Sequence, residues 1–192
     1  MNQIIDGIDY GPLAQLLGKW VGDKGLDNAP DAKAEPDLNA FTDELTFTVA
    51  GRSENAEQQE LTVIKYHHLV RKLENGLIFH DQIGHWLYEQ ATGLIMHSLT
   101  IPRGVCVLAG GSIKQHGSET IFEVKAKLGS ETFGILQSPF MLEKAKTTAF
   151  KMRLVVDGNS LSYDETTSLF IYGKAFEHND KSRLQRVTYD MG

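Results

Sequence analysis

Seven histidines are the side chains of this 192-residue chain best suited to chemistry near neutral pH: His67, His68, His80, His85, His97, His116 and His178. A histidine that binds a ligand, holds a metal or moves a proton has to face a cavity. Alternation along a strand decides which ones can. In "LIFHDQIGHWLYE", His80 shares a face with Gln82, Trp86 and Tyr88, and His85 falls on the other. If "QATG" turns the chain back into "LIMHSLTI", Trp86 lies roughly opposite His97. His80 and His97 then share a wall with Trp86 and Tyr88. Two readings fit such a wall: a surface that holds a planar ligand or coordinates iron, and half-buried sheet residues satisfied by their neighbours. His67 and His68 point to opposite faces, which disfavours a joint metal site. His116, in "KQHGSE", reads as a turn residue. His178, in "FEHND", reads as a residue that orders a turn by bonding backbone.

Two arginines are candidate inner cations. In the closing run "RLQRVTYD", Leu184, Arg186 and Thr188 share one face, and Gln185, Val187 and Tyr189 the other. An inward Arg186 would hold a carboxylate bidentately, and Arg153 in "KMRLVV" is a second candidate. Ordinary salt bridges are the competing reading for both. The glycine- and serine-rich "GSETFGILQS" and "AGGS" match no phosphate loop, and there is no Gly-x-Ser-x-Gly. "YDETT" alternates as a strand rather than as a carboxylate pair. The one cysteine, Cys106, lies in the apolar run "GVCVLA" and is expected to be a buried, inert thiol.

These side chains have to be positioned by strands. From Phe41 the pattern is period two: Phe41, Leu45, Phe47 and Val49 on one face, Thr42, Glu44, Thr46 and Thr48 on the other. Similar runs follow, separated by "ENG", "QATG", Pro102–Gly104 and the hairpin signal in "VVDGNSLSY". The count is about ten strands with short connections. That predicts an all-β, up-and-down antiparallel barrel of lipocalin or fatty-acid-binding-like shape, with one or two short helices. Helical turns are expected near Pro12–Leu17 and in "SPFMLEKAK", where Phe140, Met141 and Leu142 would either cover one end or form a surface helical turn. Several strands carry apolar residues on both faces, which suits a barrel with a lined cavity. One domain is expected over residues 1–192, with 1–10 as an N-terminal extension and the Pro-containing stretch 26–40 as a long loop. In "LLGKWVGDKGLD", Trp20 is expected to floor the barrel, with the glycines letting the first strand bend.

Charge narrows the partners. The 19 Lys and Arg against 25 Asp and Glu give a net charge of −6, with no basic run, which argues against nucleic acid or an anionic membrane. A single cysteine rules out an intrachain disulfide and any Cys/His zinc framework. "MNQIIDGIDY" has neither the basic nor the apolar region of a signal peptide, and no apolar run approaches a bilayer span, so a cytoplasmic protein is expected.

Four stretches together resemble the nitrobindin-like, heme-binding β-barrel family, related in shape to the fatty-acid-binding proteins. "LLGKWVGDKG" is similar to its opening Gly-x-Trp-x-Gly segment, and "FHDQIGHWLYEQATGLIMHSLTIPRGVCVLAGG" to its central strands. "AFKMRLVVDGNSLSYDETT" is similar to its penultimate hairpin, and "RLQRVTYD" to its closing strand. The resemblance spans most of residues 10–190. It implies a ten-stranded barrel with a pocket at one mouth, ferric heme tied by one His on the last strand, and peroxynitrite isomerisation. Aligned on "VTY", the position of that His holds Leu184, beside Arg183, and the nearest histidine is His178. The expectation is therefore a protein binding a hydrophobic or planar small molecule, with a carboxylate as an optional feature. Trp20, His80, Trp86, His97, Arg153 and Arg186 are its expected lining, and a homodimer is one option for its assembly. The alternatives are a heme-dependent isomerase with His178 or His97 on iron, and an interaction domain with a filled interior.

Overall fold

Alternating side chains can bury one face only if the sheet packs on something, and here it packs on itself. The computed structural model describes residues 3–188. A two-stranded hairpin, β1 (Ile4–Ile5) and β2 (Ile8–Asp9), leads into a 3-10 turn at Gly11–Gln15. The strands then run β3 (Gly18–Pro30), β4 (Pro36–Ser53), β5 (Leu61–Lys72), β6 (Ile78–Glu89), β7 (Leu94–Ile101), β8 (Val105–His116) and β9 (Glu119–Lys127). After β10 (Ile135–Gln137) and the helix α1 (Pro139–Lys144) come β11 (Ala145–Asp157), β12 (Ser160–Ile171) and β13 (Lys174–Arg186). Each long strand pairs antiparallel with its neighbours, β9 pairs with β11, and β13 closes on β3. The result is a closed ten-stranded barrel, and β10 adds a short extra pairing to β8.

One end is plugged. The 3-10 turn buries Leu13 and Ala14, and beside them Leu16, Trp20, Ile64, Ile95, Leu154, Leu161 and Leu184 are almost fully buried. The Trp20 indole N–H donates to the Leu16 carbonyl at 2.7 Å. Glycine is required where β3 bends. A Cβ on Gly25 would lie 2.0 Å from the Phe41 ring, and one on Gly22 would lie 2.6 Å from an Asp43 carboxylate oxygen. The β3–β4 register slips between these two glycines.

Three expectations change. Residues 26–40 are not a loop: β3 continues to Pro30, β4 begins at Pro36, and the pairing extends to the two prolines. The tip is held by Asp31, whose carboxylate accepts from the Lys33 and Glu35 amides at 2.7 and 2.8 Å. The outer part of this hairpin is largely exposed on both faces, so its strand residues are polar and alternation is lost. Cys106 is exposed on the outer face. Of the three apolar residues on α1 only Met141 is buried; Phe140 and Leu142 are exposed. No helix among the described residues is long and apolar enough to cross a membrane.

Candidate functional site

Beyond the plug, the inward faces turn polar. The β6–β7 register sets Trp86 opposite His97, and the two rings stack 4.2 Å apart and nearly parallel. His97 is 1 % exposed and also lies near Phe150 and Tyr66. Its Nε2 is 2.8 Å from the Tyr66 hydroxyl, which also accepts a hydrogen bond from the Gln82 amide at 2.6 Å. Gln82 Oε1 in turn lies 3.1 Å from His80 Nε2. Since Tyr66 oxygen already accepts from Gln82, its O–H is free to donate to His97 Nε2. That polarity assigns the His97 proton to Nδ1. Nδ1 is buried and has no partner among the described residues. Burial, aided by the nearby His68, holds His97 neutral with its pKa lowered to about 3 and His80 to about 4.

A second group sits beside the first. Asp43 on β4 is completely buried and accepts from the Tyr163 hydroxyl at 2.9 Å and the Ser182 hydroxyl at 3.0 Å. His68 Nε2 lies 3.3 Å from the same carboxylate. Burial and the Asp43 charge push the Tyr163 hydroxyl well above its ordinary range. The His68 ring meets His80 edge-on at 5.8 Å, which joins the two groups.

The third group lies toward the end away from the plug. His178 Nε2 is 2.7 Å from an Asp27 oxygen and 3.3 Å from an Asp180 oxygen. Burial opposes charge on His178, but the hydrogen bond to Asp27 and the charges of Asp180, Asp27 and Glu165 outweigh it, and its pKa rises. Glu165, opposite Asp180 in the β12–β13 register, is pushed up to about 8 by burial and by the Asp180 charge. Burial likewise raises Asp180 to about 6.

The expected lining residues therefore separate. His80, Trp86 and His97 meet inside, joined through Tyr66 and Gln82 rather than directly. Trp20 and Arg186 belong to the plug. The Arg186 guanidinium lies 4.0 Å over the Trp20 ring, donates to the Gln15 carbonyl at 2.7 Å and also donates to the Leu17 carbonyl. It is spent on the backbone and is not free for a ligand carboxylate. Arg153 is not an inner cation: it faces outward, exposed, 3.7 Å from Glu123. His178 does not precede the last strand. β13 starts at Lys174, so His178 is within it and partly buried. His116 is exposed at the end of β8. Tyr189 lies outside the described residues.

Asp27, Asp43, Tyr66, His68, Tyr163, Glu165, Asp180 and Ser182 were not foreseen as site residues. A signal existed for some. Asp43 interrupts the apolar face of Phe41, Leu45 and Phe47, and counting back by twos from Leu184 gives Ser182, Asp180 and His178. The outer wall also carries a groove of about 1070 Å³ beside Ile83, Leu108, Ile135 and Leu136. Its two histidines, His67 and His85, are exposed.

A closed antiparallel barrel of ten strands, plugged at one end and polar within, defines a lipocalin-shaped class of protein. The chain belongs to the THAP4-like, heme-binding beta-barrel domain family, which matches residues 9–186. Among solved structures it is similar to the crystal structure of Rv2717c from M. tuberculosis. That match has 19 % identity and a TM-score of 0.69, and covers 92 % of this chain and 95 % of that one. No curated protein matches the sequence.

Family membership raises heme, and the residues present do not fit it. An axial imidazole needs a free, neutral ring nitrogen facing open space. His178 Nε2 instead faces two carboxylates, at 2.7 and 3.3 Å, which stand where a porphyrin would have to lie. His97 is stacked on Trp86 and bonded to Tyr66 through Nε2, with its remaining nitrogen buried.

Proposed function

We propose that the protein binds a small, uncharged or cationic molecule inside the barrel. Its apolar or planar body lies near Trp86 and His97, and it carries one hydrogen-bond acceptor. The observation that carries this reading is the buried, unpartnered His97 Nδ1, which carries the ring proton when Nε2 accepts from Tyr66. A buried donor without an acceptor costs about 1–3 kcal/mol, and a bound molecule would satisfy it. A carboxylate on the ligand is disfavoured. Asp27, Asp43, Glu165 and Asp180 occupy the polar half, while Arg186 is committed to the plug and Arg153 faces outward. No catalytic residue is assigned. A cytoplasmic setting belongs to the same reading, since a lone exposed thiol suits a reducing compartment.

Titration with Nile red, a neutral planar fluorophore, tests it. Saturable binding at one per chain is expected, weakened about fivefold by His97→Phe, which removes the donor and keeps the ring. Leu108→Lys, in the outer groove, is expected to leave binding unchanged. Loss of binding in Leu108→Lys would move the site outside the barrel and overturn the reading. No saturable binding would leave an interaction domain with a filled interior. Ferric heme is expected to give no sharp, saturable Soret band. A band abolished by His178→Ala would replace this proposal with the heme-isomerase reading.

A further inference from the structure

The third interior group goes beyond the organic ligand and does not depend on it. Asp27 Oδ1, His178 Nε2 and Asp180 Oδ2 all lie within 4.8 Å of one another, on the adjacent strands β3 and β13. The set is not simply acidic, because an imidazole nitrogen lies at its centre. The Asp27 side chain is 6 % exposed, so this is not a solvated surface cluster. Two carboxylates converge on one imidazole nitrogen, at 2.7 and 3.3 Å, and a divalent cation would engage all three ligand atoms at once. Glu165 lies across the β12–β13 ladder from Asp180, outside the set.

The geometry points to a divalent first-row transition-metal site formed by Asp27, His178 and Asp180. The donor set selects the ion class. One imidazole with two carboxylates suits Zn²⁺, Mn²⁺ or Fe²⁺, whereas Ca²⁺ and Mg²⁺ take oxygen ligands almost exclusively. Ligand atoms about 2.1 Å from a tetrahedral centre are about 3.4 Å apart. The His178–Asp180 separation of 3.3 Å already matches. The 2.7 Å His178–Asp27 contact is a hydrogen bond, and it would open by about 0.7 Å as the ion replaces the shared proton. Binding therefore releases that proton. The bound ion would also hold the closing β13–β3 seam together, on the strand where the family resemblance expects an iron-ligating histidine.

The test uses the full chain, freed of metal with a chelator and titrated with Co²⁺. One ion per chain is expected, with visible d–d absorption that Zn²⁺ abolishes by competition. His178→Ala is expected to weaken binding more than 100-fold, and Asp27→Asn and Asp180→Asn at least 10-fold each. His116→Ala, beside Glu119 on the exposed end of β8, is expected to leave it unchanged. Asp27→Asn and Asp180→Asn are close to isosteric, so they remain informative if His178→Ala does not fold. The absence of saturable absorption overturns the proposal, as does binding of unchanged strength in the Asp27→Asn and Asp180→Asn proteins. Nile red binding is read separately, so loss of one result leaves the other standing.

Discussion

Arg186 and His178 are both inward-directed residues of β13, and the barrel treats them in opposite ways. Arg186 is tied down through both terminal nitrogens, with only its Nε buried and unpartnered. Its guanidinium caps carbonyls of the 3-10 turn and lies over Trp20, so its charge stabilises the plug and is unavailable to a ligand. His178 is over-supplied, with two carboxylates on one nitrogen and a third nearby. In the first region the polar contacts end on backbone carbonyls or an aromatic face, and the surroundings are leucine, isoleucine and tryptophan. In the second, titratable groups mainly face one another. Satisfied polar groups rigidify an interior, and unsatisfied ones mark where a partner is still to be added. On that ground the plug is architecture and the far half is the site.

The comparison is broken most directly at Trp20. Trp20→Ala removes a fully buried indole together with its hydrogen bond to Leu16 and the surface under Arg186. A loss of about 3–5 kcal/mol in urea unfolding is expected. Co²⁺ binding to the folded fraction should be unchanged, because His178 and Asp27 lie toward the other end. Loss of metal binding in a folded Trp20→Ala protein would show that the two ends are one unit.

Asp43 sharpens the same contrast from inside. It is an interior carboxylate that is fully paired, with Tyr163, Ser182 and His68 around it. Asp43→Asn sets an amide N–H₂ among groups that donate to the carboxylate, and a loss of about 2–4 kcal/mol is expected. A near-neutral effect would mean that its three partners do not depend on the Asp43 charge.

Legibility in the sequence followed the same division. The barrel was readable because its walls alternate, and turns such as Asp157–Gly158–Asn159 announce themselves. The Trp86–His97 pairing was readable because it depends only on parity and one short turn. The carboxylates were not, because they meet across strands distant in sequence: Asp27 and His178 are 151 residues apart. Misplacing the start of the last strand and reading residues 26–40 as a loop removed both halves of that pair from any wall. Arg186 was correctly turned inward and misassigned in role, because nothing local reveals that the 3-10 turn supplies carbonyls for it.

The smallest effect at neutral pH belongs to His97, and it appears only on acidification. His97 is neutral inside because burial and the neighbouring His68 lower its pKa to about 3, whereas the unfolded chain titrates near 6.5. Above pH 6.5 both states are neutral and the residue contributes no pH dependence. Between about 6.5 and 3 the unfolded state binds the extra proton and the folded state does not, so stability falls with pH by about 1.4 kcal/mol per unit. His97→Phe keeps the stack on Trp86 and removes this slope. It loses the bond to Tyr66, whose hydroxyl still accepts from Gln82, and it also removes the unpartnered Nδ1–H. These changes oppose one another, and the variant is expected within about 1 kcal/mol of the parent at pH 7. At pH 5 it should be the more stable relative to that baseline, by about 2 kcal/mol, in chemical unfolding at the two pH values. His80 has the same sign and remains in both proteins, so it cancels in the difference. Parallel pH curves would show that the folded barrel admits a proton at His97, and that its Nδ1 already has a partner inside.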